Sequence, residues 1–129
     1  MLFRSERARD VATQAHAQVG PWPPADGSWD LLVNCTPVGM HPTVDATPLA
    51  ASHLTGRFVY DLVYNPPVTR LLREAEAAGC ETLNGLEMLV AQAQAQFEWW
   101  TSRRPDGATM RAAAERRLSE LTADEHHDV

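Results

Sequence analysis

At 129 residues, 44% hydrophobic and 22% charged, the chain is long enough for one core and too short for two ordinary domains. Its formal charge of −6, with no lysine and no basic run, argues against a nucleic-acid backbone as partner. No apolar run approaches the ~20 residues of a membrane span, and residues 1–10 lack the apolar core of a secretory signal, so a cytoplasmic location is expected. Cys35 and Cys80 sit among apolar or β-prone neighbours and are expected to be buried free thiols. No His, Cys, Asp and Glu set has metal-ligand spacing.

In chain order, Leu2-Phe3 reads as the end of a strand. Ala8, Val11, Ala12, Ala15 and Val19 then recur at helical spacing behind Ser5 as N-cap, and Gly20 with Pro21, Pro23 and Pro24 stops that helix. Trp22 and Trp29 are expected to cover the core's edge. Asp30 to Cys35 is a short run apolar on both faces, the pattern of a buried parallel strand, and Thr36 to Met40 turns it. A short helix is possible from Pro48 to Leu54. Arg57 to Val63 reads as the next strand and Tyr64-Asn65-Pro66-Pro67 as its turn. Thr69 caps a helix that Gly79 ends. Cys80 to Leu83 makes a third strand, and Asn84-Gly85 opens a long helix to about Trp100. On it, Leu86, Leu89, Val90, Ala93, Phe97 and Trp100 form a core face. Met88, Gln92, Gln96 and Trp99 form a second stripe. A further amphipathic helix carries Met110, Ala114, Leu118 and Leu121.

Alternating strands and helices predict an α/β fold around a parallel sheet. Ligands of such sheets lie beyond the carboxyl ends of the strands, which directs attention to the turns at Arg4-Ser5, Thr36–Met40, Leu62–Pro67 and Asn84-Gly85. An arginine after a dinucleotide fold's second strand suits an adenosine 2′-phosphate. Each of these residues also has a plain structural reading. Arg4 is equally an exposed helix-start residue, Asn34 and Thr36 can satisfy turn backbone, Met88 can pack, Tyr64 can be a core-edge aromatic, and Gln92 can be merely exposed.

Three runs together resemble the shikimate dehydrogenase family. Asp30-Leu31-Leu32-Val33-Asn34-Cys35-Thr36-Pro37-Val38-Gly39-Met40 is similar to its D-hydrophobic-N-A-T-P-x-G-M run, with Cys35 for the usual alanine. Tyr60-Asp61-Leu62-Val63-Tyr64-Asn65-Pro66 with Thr69-Arg70-Leu71-Leu72 resembles its D-x-x-Y-x-P-x-x-T-x-L-L run. Asn84-Gly85-Leu86-Glu87-Met88-Leu89-Val90-Ala91-Gln92-Ala93, with Phe97 and Trp100, resembles its G-L-x-M-L-x-x-Q-A-x-x-x-F-x-x-W helix. More loosely, Arg4-Ser5 resembles its N-R-T loop, with Phe3 for the asparagine.

The resemblance implies NADP as cofactor and reversible reduction of 3-dehydroshikimate to shikimate, in aromatic amino-acid biosynthesis. Arg4, Ser5 and Arg7 would hold the 2′-phosphate. Asn34, Thr36 and Pro37 would line the cofactor path. The backbone of Leu62 and Gly85 would approach the nicotinamide carboxamide, with Met88 beside it. Tyr64, Gln92 and Gln96 would hold the hydroxyls or carboxylate of the substrate. No catalytic residue is expected within the chain, because the family's proton-transfer lysine lies in a substrate domain and this sequence has no lysine. The glycine-rich turn that seats a pyrophosphate is also not found. The expectation is therefore a partial Rossmann-like three-layer parallel sheet lacking its first strand and glycine-rich turn. It comprises residues 1–101 as an incomplete NADP-binding domain, 102–123 as a helix directed toward a missing N-terminal substrate domain, in cis or in trans, and 124–129 as a disordered tail. Such a piece is expected to be inactive alone. A quinate/shikimate dehydrogenase, and a non-catalytic remnant or partner-binding half-domain, are the alternatives.

Overall fold

The computed structural model describes residues 2–124 and, of the side chains, those of residues 6–121. Strands β1 (Leu31–Asn34), β2 (Phe58–Asp61) and β3 (Glu81–Leu83) form an open parallel sheet in the order β1-β2-β3. Leu31 stands opposite Phe58, and Asn34 opposite Asp61. On the other side of β2, Phe58 stands opposite Glu81. Helix α1 (Leu2–Gln14) precedes the sheet. A 3-10 turn (Ala51–His53) lies between β1 and β2, α2 (Arg70–Ala77) joins β2 to β3, and α3 (Leu86–Thr101) and α4 (Gly107–Asp124) follow.

Side chains alternate across a strand, so the register divides the sheet into two faces. Leu32, Asn34, Val59 and Asp61 share the inner one. Over it lies the core cluster of Leu49, Leu54, Val59, Leu71, Leu72, Ala75 and Cys80, with Trp29 and Leu32 packed against it. The α2 helix presents Leu71, Leu72 and Ala75 to this core because Thr69 fixes its first turn, accepting a hydrogen bond from Leu72 N at 3.3 Å. A second cluster joins α3 to α4. There Leu86, Val90 and Leu118 are buried, and Leu89, Met110 and Ala114 are partly so. Arg111 bridges Glu87 and Glu115 at the same contact. Asp106 caps α4, and hydrogen bonds from the Thr109 hydroxyl and Ala108 N hold its carboxyl below the ordinary range.

Several expectations are corrected. Leu2 and Phe3 belong to α1 and are not a strand end, since no neighbouring strand among the described residues takes up their backbone groups and the helix does. That helix also stops at Gln14, before Gly20, where His16 turns to φ 52°. The β1 strand is not buried on both faces: Leu31 is 56% and Val33 40% exposed, because the core cluster lies on the opposite face, that of Leu32, and β1 is the edge of the sheet among the described residues. On α3 the core face covers only the first turns. Phe97 and Trp100 are exposed, the latter at 74%, because the buried packing of α3 on α4 is centred on Leu86, Leu89 and Val90. Trp22 is likewise exposed. Cys35 is exposed and only Cys80 is buried, where loss of solvent raises its thiol pKa. The Pro48–Leu54 helix is reduced to its central 3-10 turn. Asp124 closes α4 rather than opening a tail, and residues 125–129 lie outside the described residues.

Candidate functional site

The turns that follow β1 and β2 are built on one hydrogen-bonded network. Asn34, the last residue of β1, is buried, and its side-chain amide donates to Val38 O at 3.2 Å and to Asp61 Oδ1 at 3.0 Å. Its side-chain oxygen accepts from Thr36 N at 3.0 Å and from the Thr36 hydroxyl at 2.7 Å. Asp61 is fully buried at the end of β2. It also accepts Val63 N at 3.0 Å and the Thr69 hydroxyl at 2.6 Å. A carboxylate removed from water needs such donors. By accepting them it fastens the end of β1, the end of β2 and the start of α2 together.

The first turn bends at Gly39, whose φ of +93° is readily adopted only without a side chain. His41 N donates to Asn65 O at 3.0 Å and so joins the first turn to the second. The second turn then meets the start of α3. Gly85 N donates to Val63 O at 3.1 Å. A methyl on Gly85 would lie 2.5 Å from the Leu62 carbonyl carbon and 2.9 Å from that of Val63, with the Leu62 oxygen nearer still. The missing side chain is therefore what lets α3 begin against the β2 turn.

Two clefts open over these turns. The larger, about 810 Å³, includes Arg7, Trp22, Asn34, Cys35, Thr36, Pro37 and Val38 in its lining. The smaller, about 450 Å³, is lined by Cys35, Thr36, Pro37, Met40, His41, Leu62, Val63, Tyr64 and Asn65. Residues 35–37 belong to both. The two clefts adjoin across the end of β1, and together they give a path with Arg7 lining one end and Tyr64 the other.

Of the residues singled out in the sequence, Arg7, Asn34, Thr36, Pro37, Leu62 and Tyr64 are brought together along this path. Gly85 is buried behind the Leu62–Val63 backbone. Met88 is half-buried, and Gln92 and Gln96 are exposed on α3; none of the three lines either cleft. The side chains of Arg4 and Ser5 lie outside the described residues. Among the described residues no group of three or more His, Cys, Asp or Glu side chains could hold a metal ion. No helix of the described residues is long and apolar enough to cross a membrane.

Sequence reasoning places Asp61 and Thr69 in a motif but assigns Asp61 no role and Thr69 only that of a cap. The available signal is a single carboxylate within the otherwise apolar run Phe58-Val59-Tyr60-Asp61-Leu62-Val63. A charge in a central strand requires a partner.

Comparison with known proteins bears on this arrangement. Residues 85–115 match the Shikimate 5'-dehydrogenase C-terminal domain family. A shikimate dehydrogenase (NADP(+)) of Archaeoglobus fulgidus is 46% identical over 93 residues, covering 71% of this chain and 35% of that protein. The structure superposes with TM-score 0.77 on a shikimate 5-dehydrogenase of Thermus thermophilus in complex with NADP(H) and shikimate. That match is 39% identical and covers 86% of this chain and 42% of the other. A quinate dehydrogenase of Corynebacterium glutamicum in complex with NAD superposes with TM-score 0.59 at 40% identity, over 66% of this chain and 30% of the other. The chain thus spans about a third of the Archaeoglobus protein and about two fifths of the Thermus one.

Proposed function

We propose that this chain, which belongs to the shikimate dehydrogenase family, contributes the cofactor-side wall of an NADP-dependent shikimate dehydrogenase, which interconverts 3-dehydroshikimate and shikimate. The observation that carries this reading is the pair of adjoining clefts over the ends of β1 and β2, which share Cys35, Thr36 and Pro37, with Arg7 on one and Leu62 and Tyr64 on the other. Their position, beyond the carboxyl ends of parallel strands, is where such sheets take dinucleotides. A guanidinium at one end suits a 2′-phosphate.

NADPH, when bound, supplies the hydride. The roles of the chain's own residues are positional. Arg7, with Arg4 and Ser5, holds the 2′-phosphate. Thr36 and Pro37 line the path above Asn34. The Leu62 and Gly85 backbones and Met88 flank the nicotinamide carboxamide. Tyr64, Gln92 and Gln96 hold the hydroxyls or carboxylate of the hydroxy acid. Proton transfer to the carbonyl oxygen falls to a substrate domain supplied in cis or in trans, toward which residues 102–123 are directed. The fit to a quinate dehydrogenase keeps quinate as a second substrate reading, while Arg7 favours NADP over NAD.

The test is turnover. The chain is joined behind the portion of the Thermus protein that lies ahead of its matched region, and NADPH oxidation with 3-dehydroshikimate is followed by absorbance. The fused protein is expected to turn over, to prefer NADPH to NADH, and to exceed the unfused chain, which is expected to show no turnover. A fused protein that folds and binds neither NADPH nor shikimate would remove the reading in favour of a non-catalytic module.

A further inference from the structure

Asn34 and Thr36 stand two residues apart at the end of β1, yet their hydrogen-bonding capacities differ completely. A primary amide side chain can donate two hydrogen bonds and accept two. Asn34 already makes all four: two N–H bonds to Val38 O and Asp61 Oδ1, and two accepted at its oxygen from Thr36 N and the Thr36 hydroxyl. The orientation of its amide follows from the partners. Val38 O and the Asp61 carboxylate accept, and Thr36 N donates, so nitrogen must face the first two and oxygen the third. Asn34 is buried and has no capacity left for a ligand.

Thr36 is the opposite case. Its residue is exposed and belongs to both clefts. Its hydroxyl proton points inward to Asn34 Oδ1 at 2.7 Å, and one lone pair receives Val38 N at 3.3 Å. One lone pair remains. We propose that Thr36 is a specificity-determining contact that meets its ligand only as a hydrogen-bond acceptor, and that Asn34, anchored on Asp61, is the positioning residue that enforces this.

The ligand group beside Thr36 is then a donor, a hydroxyl or an amide N–H. Phosphate and carboxylate oxygens, which only accept, are turned away from this point of the path. Within the function proposed above, on which the identity of the ligand rests, the cofactor meets Thr36 through a sugar hydroxyl or the carboxamide and not through its pyrophosphate.

Two measurements test this, and the first requires no activity. In the unfused chain, NMR should find the Thr36 hydroxyl proton exchanging with water about tenfold or more slower than an exposed threonine. Asn34→Ala should abolish that protection. A Thr36 proton that exchanges like an exposed one in the unaltered chain overturns the inference, whether or not the variant folds. In the fused protein, Thr36→Val should raise the NADP+ KM about tenfold, the factor associated with one hydrogen bond, with little change in kcat. Thr36→Ser should restore it to within about threefold. Unchanged KM in Thr36→Val also overturns it. Absence of turnover in the unaltered fused protein would count against the function proposed above, while the exchange measurement would still decide the orientation of Thr36.

Discussion

Gly85→Ala is expected to destabilise the chain by about 3 kcal/mol or more, at the severe end of overpacking. The added methyl would fall among the carbonyl atoms of Leu62 and Val63, which belong to backbone and cannot swing aside as a side chain would. Relief requires either breaking the hydrogen bond from Gly85 N to Val63 O or moving the first turn of α3 away from β2. Both outcomes uncouple Leu86 and Val90 from their packing with Leu118. Urea denaturation followed by circular dichroism measures the loss, with Gly20→Ala as the control because a methyl there meets nothing within 4 Å. A Gly85→Ala chain as stable as the control would contradict the close approach of α3 to the β2 turn. The sequence draws attention to Gly85 as a place where backbone could come near a cofactor. The structure adds a reason internal to the protein, since the backbone approaching it is the chain's own.

The second large effect is expected on the substrate side of the fused protein. Tyr64→Phe retains the ring in the smaller cleft and removes only the hydroxyl. Gln92→Ala removes an amide from the exposed stripe of α3. Hydrogen bonds to a charged or hydroxylated ligand are worth about 1.5–3 kcal/mol when one partner is ionised, so each change is expected to lower kcat/KM for shikimate roughly 10- to 100-fold. The KM for NADP+ should stay within about twofold, because neither side chain is placed on the cofactor in this account. Equal losses for substrate and cofactor would show that the residues support the fold of the wall and do not select the substrate.

Features set by local chemistry were legible in the sequence. Thr69 caps α2, Gly39 turns the chain after β1, and the order of strands and helices gives the parallel sheet. What the sequence hid depends on neighbours. Leu31 and Val33 carry the pattern of a strand covered on both sides, and that pattern is silent about which coverings are present. Among the described residues β1 is an edge, and both side chains are exposed. The stripe from Leu86 to Trp100 likewise reads as one core face, but only its beginning is buried against α4. Such apolar surface on an edge strand and a helix end is the kind that other protein covers. The role of Asp61 was obscured for a different reason. Its partners Asn34 and Thr69 lie 27 and 8 residues away, and only the register of β1 on β2 brings Asn34 opposite it. Asn34 itself could be read as a turn-maker or as a ligand contact. The four hydrogen bonds it makes within the protein favour the first.

The central claim is that the path from Arg7 to Tyr64 receives a dinucleotide and that a hydroxy acid sits at its Tyr64 end. The most direct measurement is the structure of the fused protein with NADP+ and shikimate bound. The 2′-phosphate is expected at Arg7, a donor group of the cofactor on Thr36, the nicotinamide against the Leu62 and Gly85 backbones, and shikimate within hydrogen-bond distance of Tyr64 and Gln92. A cofactor bound away from the ends of β1 and β2, or shikimate remote from Tyr64, would contradict it.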